Sequence, residues 1–202
     1  MTPAAALATV TVLPRPVAGQ DVFLRSATAN DAGAIHALIT EQLAEGHLLP
    51  RERGEITVHA HRFIVACQVN RSVACHVHGS VACEDHRVVA CAELAPLSRD
   101  VGEVRSLVVS QEARSLGLGR ELIDELVARA TVAGFEKLSA FTHAPSYFVQ
   151  LGFSIVPHVW LPEKIVTDCH ACPHFRRCGQ YAVQRELRHP NQAFVPLAAL
   201  HG

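Results

Sequence analysis

The segment between residues 103 and 143 restricts the fold more than any other part of this chain. It consists of an apolar strand "EVRSLVVS", a connecting stretch "QEARSL", a helical run that opens with two glycines "GLGRELIDELVARATVAG" and a second strand "FEKLSAFTH". Leu118, Leu122 and Leu126 recur at helical spacing, and Gly134 ends the run. A helix between two strands predicts a mixed α/β or α+β domain with one parallel strand pair.

The other predicted elements lie before and after this segment. "VFLRSA", residues 22–27, is predicted as a strand and residues 28–46 as a helix, where Thr28 and Asp31 match a capping box. Shorter helices are predicted at residues 52–62 and 146–151, and "GFSIVP" is predicted to open the last strand.

The tripeptide "VAC" occurs four times with a period of eight, at Val65–Cys67, Val73–Cys75, Val81–Cys83 and Val89–Cys91. Polar residues separate the copies, so the repeat predicts an inserted antiparallel meander of short strands over residues 65–91. The four cysteines could together bind a metal, but no C-x2-C pair occurs among them. Cysteine acting as a small buried hydrophobe, copied with its repeat, is the favoured interpretation.

The turn before the long helix has the pattern Arg114-x-x-Gly117-x-Gly119. Glycine lets backbone N–H groups approach a ligand without a Cβ in the way, and the helix dipole favours an anion at this end. Arg114 and Arg120 add positive charge, so a diphosphate is the expected ligand. The pattern alone also fits a glycine turn that binds nothing, and it is neither a Walker A loop nor a Rossmann fingerprint.

Three motifs in this order resemble the GNAT acetyltransferase superfamily: the strand "EVRSLVVS", the loop "QEARSLGLGRELI" and the later "YFVQLGF". The resemblance covers about residues 22–156. It implies an α+β (α/β) GNAT domain over residues 21–160, in which helices flank a mixed, mostly antiparallel central sheet. It also implies acetyl-CoA as donor, with the diphosphate on the turn and the pantetheine arm along a splayed strand. The residues it assigns to acetyl-CoA are Leu107, Val108, Val109, Arg114, Ser115, Leu116, Gly117, Leu118, Gly119 and Arg120.

The Cys-rich C-terminal segment, residues 161–202, indicates a subgroup within this superfamily. "LPEKIVTDCHACPHFRRC" is similar to the C-terminal signature of short, single-domain bacterial N-acetylglutamate synthases. That resemblance implies amino-acid N-acetyltransferase activity, with acetyl transfer to the α-amino group of L-glutamate as the first step of arginine biosynthesis. Gly179 and Gln180 stand where these enzymes usually carry acidic residues, and the VAC repeat is a second departure.

Acetyl transfer to an amine benefits from a general base, which contributes about 10²–10⁴-fold. Glu103 is the candidate base, and a solvated carboxylate at a strand end is the alternative. Many GNAT enzymes protonate the leaving thiolate with a tyrosine at the position of Phe148. Tyr147 is expected to point elsewhere on its helix, so His143 is the candidate acid, although a thiolate can also leave unprotonated.

Glutamate has two carboxylates, so its site requires cations. Arg105 follows Glu103 by two residues, so both side chains point to one face of the strand and bring base and anchor together. Arg51 and Lys164 are further candidates for substrate binding. Each of the three cations also fits an ordinary surface position.

Three cysteines of the C-terminal segment have a spacing suited to a structural zinc ion: Cys169, Cys172 and Cys178. His174, His170 or Asp168 would supply the fourth ligand. A redox-active thiol pair and thiols packed in a small apolar cap are the alternatives. A metal here is expected to hold the segment in place and to take no part in the reaction.

Composition argues against several other classes. The formal net charge is -1 and only 5% of the residues are aromatic, which gives no footprint for nucleic acid. No run approaches the roughly 20 apolar residues of a membrane span. Residues 1–20 lack the charge of a signal peptide and are expected to form a flexible tail. Seven cysteines, four of them in apolar runs, suit reduced thiols and a cytoplasmic location.

Two other functions remain open at this stage. One is acetyl transfer to a different amino acid, such as glutamine, or to another small amine. The other is a regulator without catalytic activity that binds CoA or a metal. A homodimer is compatible with either, since GNAT domains often dimerise.

Overall fold

The computed structural model describes residues 11, 14–18, 21–43, 48–69, 86–172 and 175–187. The strands in these ranges are β1 (Arg15–Pro16), β2 (Val22–Ser26), β3 (Phe63–Val69), β4 (His86–Pro96), β5 (Val101–Val109), β6 (Lys137–Thr142), β7 (Ser154–Val156) and β8 (Tyr181–Glu186). They form one sheet in the order β1-β2-β3-β4-β5-β6-β8-β7. All neighbours are antiparallel except β5 and β6, which confirms the predicted mixed sheet and its parallel pair.

The α-helices in the same ranges are α1 (Ala32–Leu43), α2 (Arg53–Val58), α3 (Leu118–Ala133), α4 (Pro145–Val149) and α5 (Pro162–Thr167). A 3-10 turn at Ala29–Asp31 precedes α1. There the Asp31 carboxylate accepts a hydrogen bond from the backbone N–H of Thr28 at 2.7 Å. The predicted capping box is therefore present.

The sheet is buried on both faces. Alternate residues of β3 face opposite sides: Ile64 packs in the apolar cluster that contains Leu122 and Leu126 of α3, whereas Val65 packs in the cluster that contains Ile35 of α1. Because both faces are covered by helices, β3 reads as a continuous apolar run rather than an alternating one.

Glycines bound the long helix α3 at both ends. Gly117 precedes its first residue with a φ of 74°, and Gly134 follows its last residue with a φ of 86°. Both values lie in the left-handed region, where glycine carries no Cβ penalty. The predicted start and stop of this helix are confirmed.

Pairing between β5 and β6 stops after the Val104–Ala140 pair, although both strands continue. Against its other neighbour, β4, strand β5 has a register shift between Cys91 and Glu93. Ser106 has a left-handed φ of 49° at this point. A bulge of this kind bends a strand, and beyond Val104 the β6-facing edge of β5 carries no ladder.

The VAC repeat differs from the predicted meander of short strands. Its first and last copies lie in the longer strands β3 and β4, where Val65 pairs with Cys91. Cys67 and Cys91 are fully buried in the apolar core, as expected of a cysteine that packs as a hydrophobe. The copies at residues 73–75 and 81–83 lie outside the described residues.

The prediction that the last strand begins at "GFSIVP" was wrong. β8 lies 25 residues beyond β7 and inserts between β6 and β7. Part of the Cys-rich C-terminal segment is therefore built into the sheet. Arg15 and Pro16 pair with β2, so the sheet edge also includes two residues of the predicted N-terminal tail. In the parts of the chain that the model covers, no helix is long and apolar enough to cross a membrane.

We predict that Cys91 resists alkylation in the folded protein. Burial, reinforced by nearby Glu93, raises the pKa of the Cys91 thiol to about 12, and its Sγ lies 3.6 Å from the Ser106 carbonyl oxygen as a donor. A raised pKa leaves little thiolate at pH 8, and the thiolate is the form that reacts. Iodoacetamide at pH 8 should label exposed Cys178 at least about 100-fold faster than Cys91.

Peptide mapping by mass spectrometry measures each site separately. Denaturation in guanidinium chloride should abolish the difference and serves as the control. Equal labelling of the two cysteines in the native protein would show that Cys91 is not buried as described.

Candidate active site

A cleft of about 1260 Å³ opens where β5 and β6 diverge. Its walls come from residues 48–51, from the end of β6 with α4, and from α5 with the cysteines that follow it. The strand-to-helix turn between β5 and α3 reaches this cleft through Arg114. The divergence of two strands thus creates a space that the turn, the sheet and the C-terminal segment all border.

The turn presents backbone N–H groups that are free to bind an anion. Ser115 and Gly117 have φ angles of 71° and 74°. Within the described chain, no backbone carbonyl accepts from the N–H groups of Ser115, Gly117, Leu118 or Gly119. These donors lie at the N-terminus of the 16-residue helix α3, where the dipole favours negative charge. The predicted diphosphate site therefore has the donors that it requires.

The predicted cofactor residues share two locations. Leu107, Val108 and Val109 line the cleft on the part of β5 beyond its ladder with β6. An extended chain with amide groups fits beside this open edge. Leu116 and Arg120 are exposed on the turn, whereas the Leu118 side chain is buried and only its backbone faces the loop. Arg114 donates to the Gln42 side chain at 2.7 Å.

Glu103 lies on the floor of the cleft with only 2% of its side chain exposed. Its Oε2 accepts from Arg105 Nε at 2.5 Å, and its Oε1 lies 2.7 Å from Lys164 Nζ. Lys164 comes from α5, more than 60 residues further along the chain. Buried carboxylates require such partners, because an isolated charge is poorly solvated there.

Asp168, at the end of α5, joins the same group. Its Oδ2 accepts from Arg105 Nη2 and, at 2.7 Å, from Lys164 Nζ. Glu103, Arg105, Asp168 and Lys164 thus form a closed ring of ion pairs, which we call the four-residue ring. Burial alone would lower the pKa of Arg105, but the carboxylates of Glu103 and Asp168 outweigh it and raise that pKa.

Arg51 supplies a third cation to the cleft from the segment before α2. It donates from Nη1 to the buried Glu93 at 2.9 Å and from Nη2 to Glu55 at 2.9 Å. Burial opposes the charged form, but Glu93 and Glu55 together raise the pKa of Arg51. The three cations that the sequence offered as substrate anchors therefore border one cleft together with Glu103.

Tyr147 corrects one expectation about α4. It was expected to point away from the site, yet it lines the cleft, and burial raises the pKa of its hydroxyl. Phe148, one residue later, is buried and packs edge-on against Phe153. His143 also borders the cleft, at the exposed end of β6. The spacing to the "LGF" motif assigned the position of the family tyrosine to residue 148. Nothing in the local sequence indicated that the neighbouring Tyr147 side chain would face the cleft.

The C-terminal cysteines lie at the cleft. Cys169, Cys172 and Cys178 all line it, and burial raises the pKa of Cys169. Among the residues that the model describes, no group of three or more metal-binding side chains is assembled. His174, a predicted ligand, lies outside that set, so the zinc site stays a prediction.

The two other fourth-ligand candidates are engaged elsewhere. The ring of His170 stacks on Phe175 with centroids 6.1 Å apart. Asp168 binds Arg105 and Lys164. The segment that a metal was expected to hold in place therefore forms a wall of the candidate active site.

A split sheet beside an anion-binding turn defines a class of protein. The turn offers the N–H donors that a diphosphate requires, and the open edge of β5 leaves room for an amide-containing arm, which together match the chemistry of coenzyme A. The arrangement is that of an acyltransferase that uses a CoA thioester. The model of the acetyltransferase (GNAT) family matches residues 40–153, more than half of the chain, and the chain belongs to this family.

Similar proteins agree with this assignment. The chain is 27% identical over 167 residues to an uncharacterized N-acetyltransferase of Chlorobaculum tepidum, which covers 83% of this chain and 97% of that protein. It is 28% identical over 143 residues to the amino-acid acetyltransferase of Escherichia coli, which covers 70% of this chain. The match spans only 29% of the Escherichia coli protein.

Among solved structures, the chain is similar to the N-acetylglutamate synthase from Neisseria gonorrhoeae complexed with coenzyme A and N-acetyl-glutamate. The TM-score is 0.68 at 25% identity, over 83% of this chain and 35% of that one. The chain thus spans about a third of the length of these larger relatives. The shared part supports acetyl-CoA as cosubstrate.

We predict that a side chain at position 119 would clash with Tyr147, which lies against this glycine. A Cβ at position 119 would stand 2.5 Å from the Tyr147 hydroxyl and 3.4 Å from its Cζ. Gly119→Ala should lower the free energy of unfolding by about 1 kcal/mol, the lower end of the range for overpacking, because the atom in conflict is the far end of a side chain that can shift. Tyr147→Phe removes the atom in conflict, so the double variant should regain most of that loss in urea unfolding.

Gly117→Ala is the matched control. Space around Gly117 is open, but its φ of 74° is unfavourable for alanine and costs about 1–2 kcal/mol. Tyr147→Phe should not relieve that loss. Equal behaviour of the two alanine variants in the Tyr147→Phe background would contradict the contact.

Proposed function

We propose that this acetyltransferase transfers the acetyl group of acetyl-CoA to the α-amino group of a carboxylated amino acid, with L-glutamate as the first candidate. The observation that carries the proposal is the convergence of Arg51, Arg105 and Lys164 on one cleft with Glu103. Three cations at the acceptor end of a CoA cleft suit a substrate with more than one carboxylate. On this proposal the reaction is the first step of arginine biosynthesis.

The comparisons support an amino-acid acceptor. One relative is an amino-acid acetyltransferase, and one similar structure is a synthase complexed with N-acetyl-glutamate. Both are distant and longer than this chain. Glutamine and other small amines are therefore the competing acceptors.

In the proposed mechanism, the open edge of β5 and the turn before α3 hold the donor. Backbone N–H groups of Leu107 to Val109 stabilise the charge that develops on the thioester oxygen, as an oxyanion site does. Arg105 and Lys164 orient a carboxylate of the acceptor so that its amine faces the thioester. Fixed orientation of two reactants accounts for a large part of such rate enhancements.

Glu103 is the proposed acceptor of the amine proton. Both of its oxygens are hydrogen-bonded to cations and its side chain is 2% exposed, so we propose that the proton reaches it through a water molecule. Its position on the strand that carries Arg105 keeps the base beside the carboxylate anchor. The amine then attacks as the neutral nucleophile.

Two residues are candidates for returning a proton to the thiolate. His143 borders the cleft at the end of β6, as the sequence suggested. Tyr147 is the stronger candidate, because its hydroxyl lies within the cleft near the first turn of α3 and burial keeps it protonated by raising its pKa. A proton held at that pKa is available throughout the neutral range.

We predict that Glu103→Gln lowers kcat for the acceptor by about 10²–10⁴-fold, with a smaller change in KM, because the amide cannot accept the proton. The assay is free-thiol release from acetyl-CoA with glutamate, glutamine and other amino acids in parallel. Glu93→Gln is the matched comparison, since Glu93 is equally buried and pairs with Arg51. It should retain far more kcat than Glu103→Gln.

Two outcomes would redirect the proposal. A rise in acceptor KM with kcat preserved in Glu103→Gln would make Glu103 a positioning residue for Arg105 and Lys164. Binding of CoA without acetylation of any amine would reject the enzymatic proposal and favour a regulator without catalytic activity.

A further inference from the structure

The cations of the acceptor site are already paired with carboxylates of the protein itself. Arg105 and Lys164 each contact both Glu103 and Asp168. Arg51 contacts Glu93 and Glu55. The cleft therefore holds compensated cations, and an incoming carboxylate has to compete for them.

Within the four-residue ring, one carboxylate oxygen of the protein occupies the position that the carboxylate of an acceptor would take. Asp168 Oδ2 accepts from the Arg105 guanidinium and from the Lys164 ammonium at once. Two cationic donors converging on one carboxylate form a strong and specific carboxylate site. The occupant of that site in the absence of an acceptor is the side chain of Asp168.

The two carboxylates of the ring differ in how readily they can leave. Glu103 is 2% exposed and lies on β5, where it pairs with Ala95 of β4 and Ser139 of β6. Asp168 is 37% exposed and follows the six-residue helix α5. Replacing Asp168 therefore requires a change only at the end of a short surface helix.

We infer that Asp168 is an internal substitute for a substrate carboxylate and is displaced from Arg105 and Lys164 when a carboxylated acceptor binds. This inference rests on the proposed function, because it assumes that the acceptor carries a carboxylate. The exchange replaces one carboxylate by another on the same donors. The positive charges of Arg105 and Lys164 are therefore compensated by a carboxylate both before and after binding.

Competition of this kind sets the affinity of the site. An acceptor binds only the fraction of molecules in which Asp168 has moved away, so its apparent affinity is reduced by that fraction. Removal of the Asp168 carboxylate should therefore tighten binding. A carboxylate that merely stabilised the wall would give the opposite result, because its loss would leave the anchors disordered.

The first experiment tests whether a free carboxylate can replace that of Asp168. Thermal unfolding of Asp168→Ala is compared with the unaltered protein in sodium acetate and in sodium chloride at matched ionic strength. Acetate should raise the Tm of Asp168→Ala by about 2–4 °C over chloride and leave that of the unaltered protein unchanged. Equal Tm values of Asp168→Ala in the two salts would overturn the inference.

The second experiment measures the dissociation constant of glutarate, a dicarboxylate without an amine, by calorimetry. Asp168→Asn should bind glutarate about 5- to 30-fold more tightly than the unaltered protein, and Asp168→Glu should bind within about twofold of it. Glu163→Gln is the matched control, because it removes the same charge from α5 outside the four-residue ring. Glutarate binding that tightens equally in Glu163→Gln and Asp168→Asn would overturn the inference as a general charge effect.

Kinetics separate this inference from the proposed function. If glutamate is acetylated, Asp168→Asn should lower its KM by a similar factor, whereas a raised KM would overturn the inference and leave the proposed function intact. If no amine is acetylated but Asp168→Asn still binds glutarate more tightly, the proposed function fails and the exchange at Arg105 and Lys164 stands.

Discussion

The end of the β5–β6 ladder after Val104 is the constraint on which the site depends. Two parallel strands that part in mid-course leave backbone groups of β5 without a partner in the sheet. Such groups are unfavourable when buried, so they require either water or a ligand with amides of its own. The same divergence opens the cleft and directs β5 into the glycine turn. One departure from regular pairing thus creates the space in which we propose that the cofactor and the acceptor bind.

The end of the cleft proposed for the acceptor is under a different constraint, because it places ionised side chains where little water reaches them. Glu103 and Glu93 are almost fully buried, and each is compensated by arginine. Removing one partner from such a group leaves an uncompensated charge, which is strongly destabilising. The ion pairs, with the hydrogen bond between Arg51 and Ser106, therefore connect β5, the segment before α2 and helix α5. They also join the C-terminal segment to the wall of the candidate active site, whether or not its cysteines bind a metal.

Local patterns predicted the elements that depend on local interactions. The helix α3 followed from the spacing of Leu122 and Leu126 and from its glycine caps, and the left-handed turn before it followed from Gly117. The sequence also predicted that Glu103 and Arg105 lie on one strand. In contrast, the placement of β8 between β6 and β7 depends on pairing between segments about 40 residues apart, which no local pattern encodes. The direction of the Tyr147 side chain likewise depended on where Phe148 found space in the core.

The sequence by itself determined the family, the glycine turn before α3 and the residue types available for catalysis. Each of these depends on a short stretch of residues with fixed spacing. Only the tertiary structure decided that Arg51, Arg105 and Lys164 meet at one cleft, and that Asp168 is bound to two of them. The reason is that ion pairing acts between atoms a few ångströms apart, whatever their separation along the chain. Contacts over 63 residues, such as that between Arg105 and Asp168, exist only once the sheet has brought its elements together.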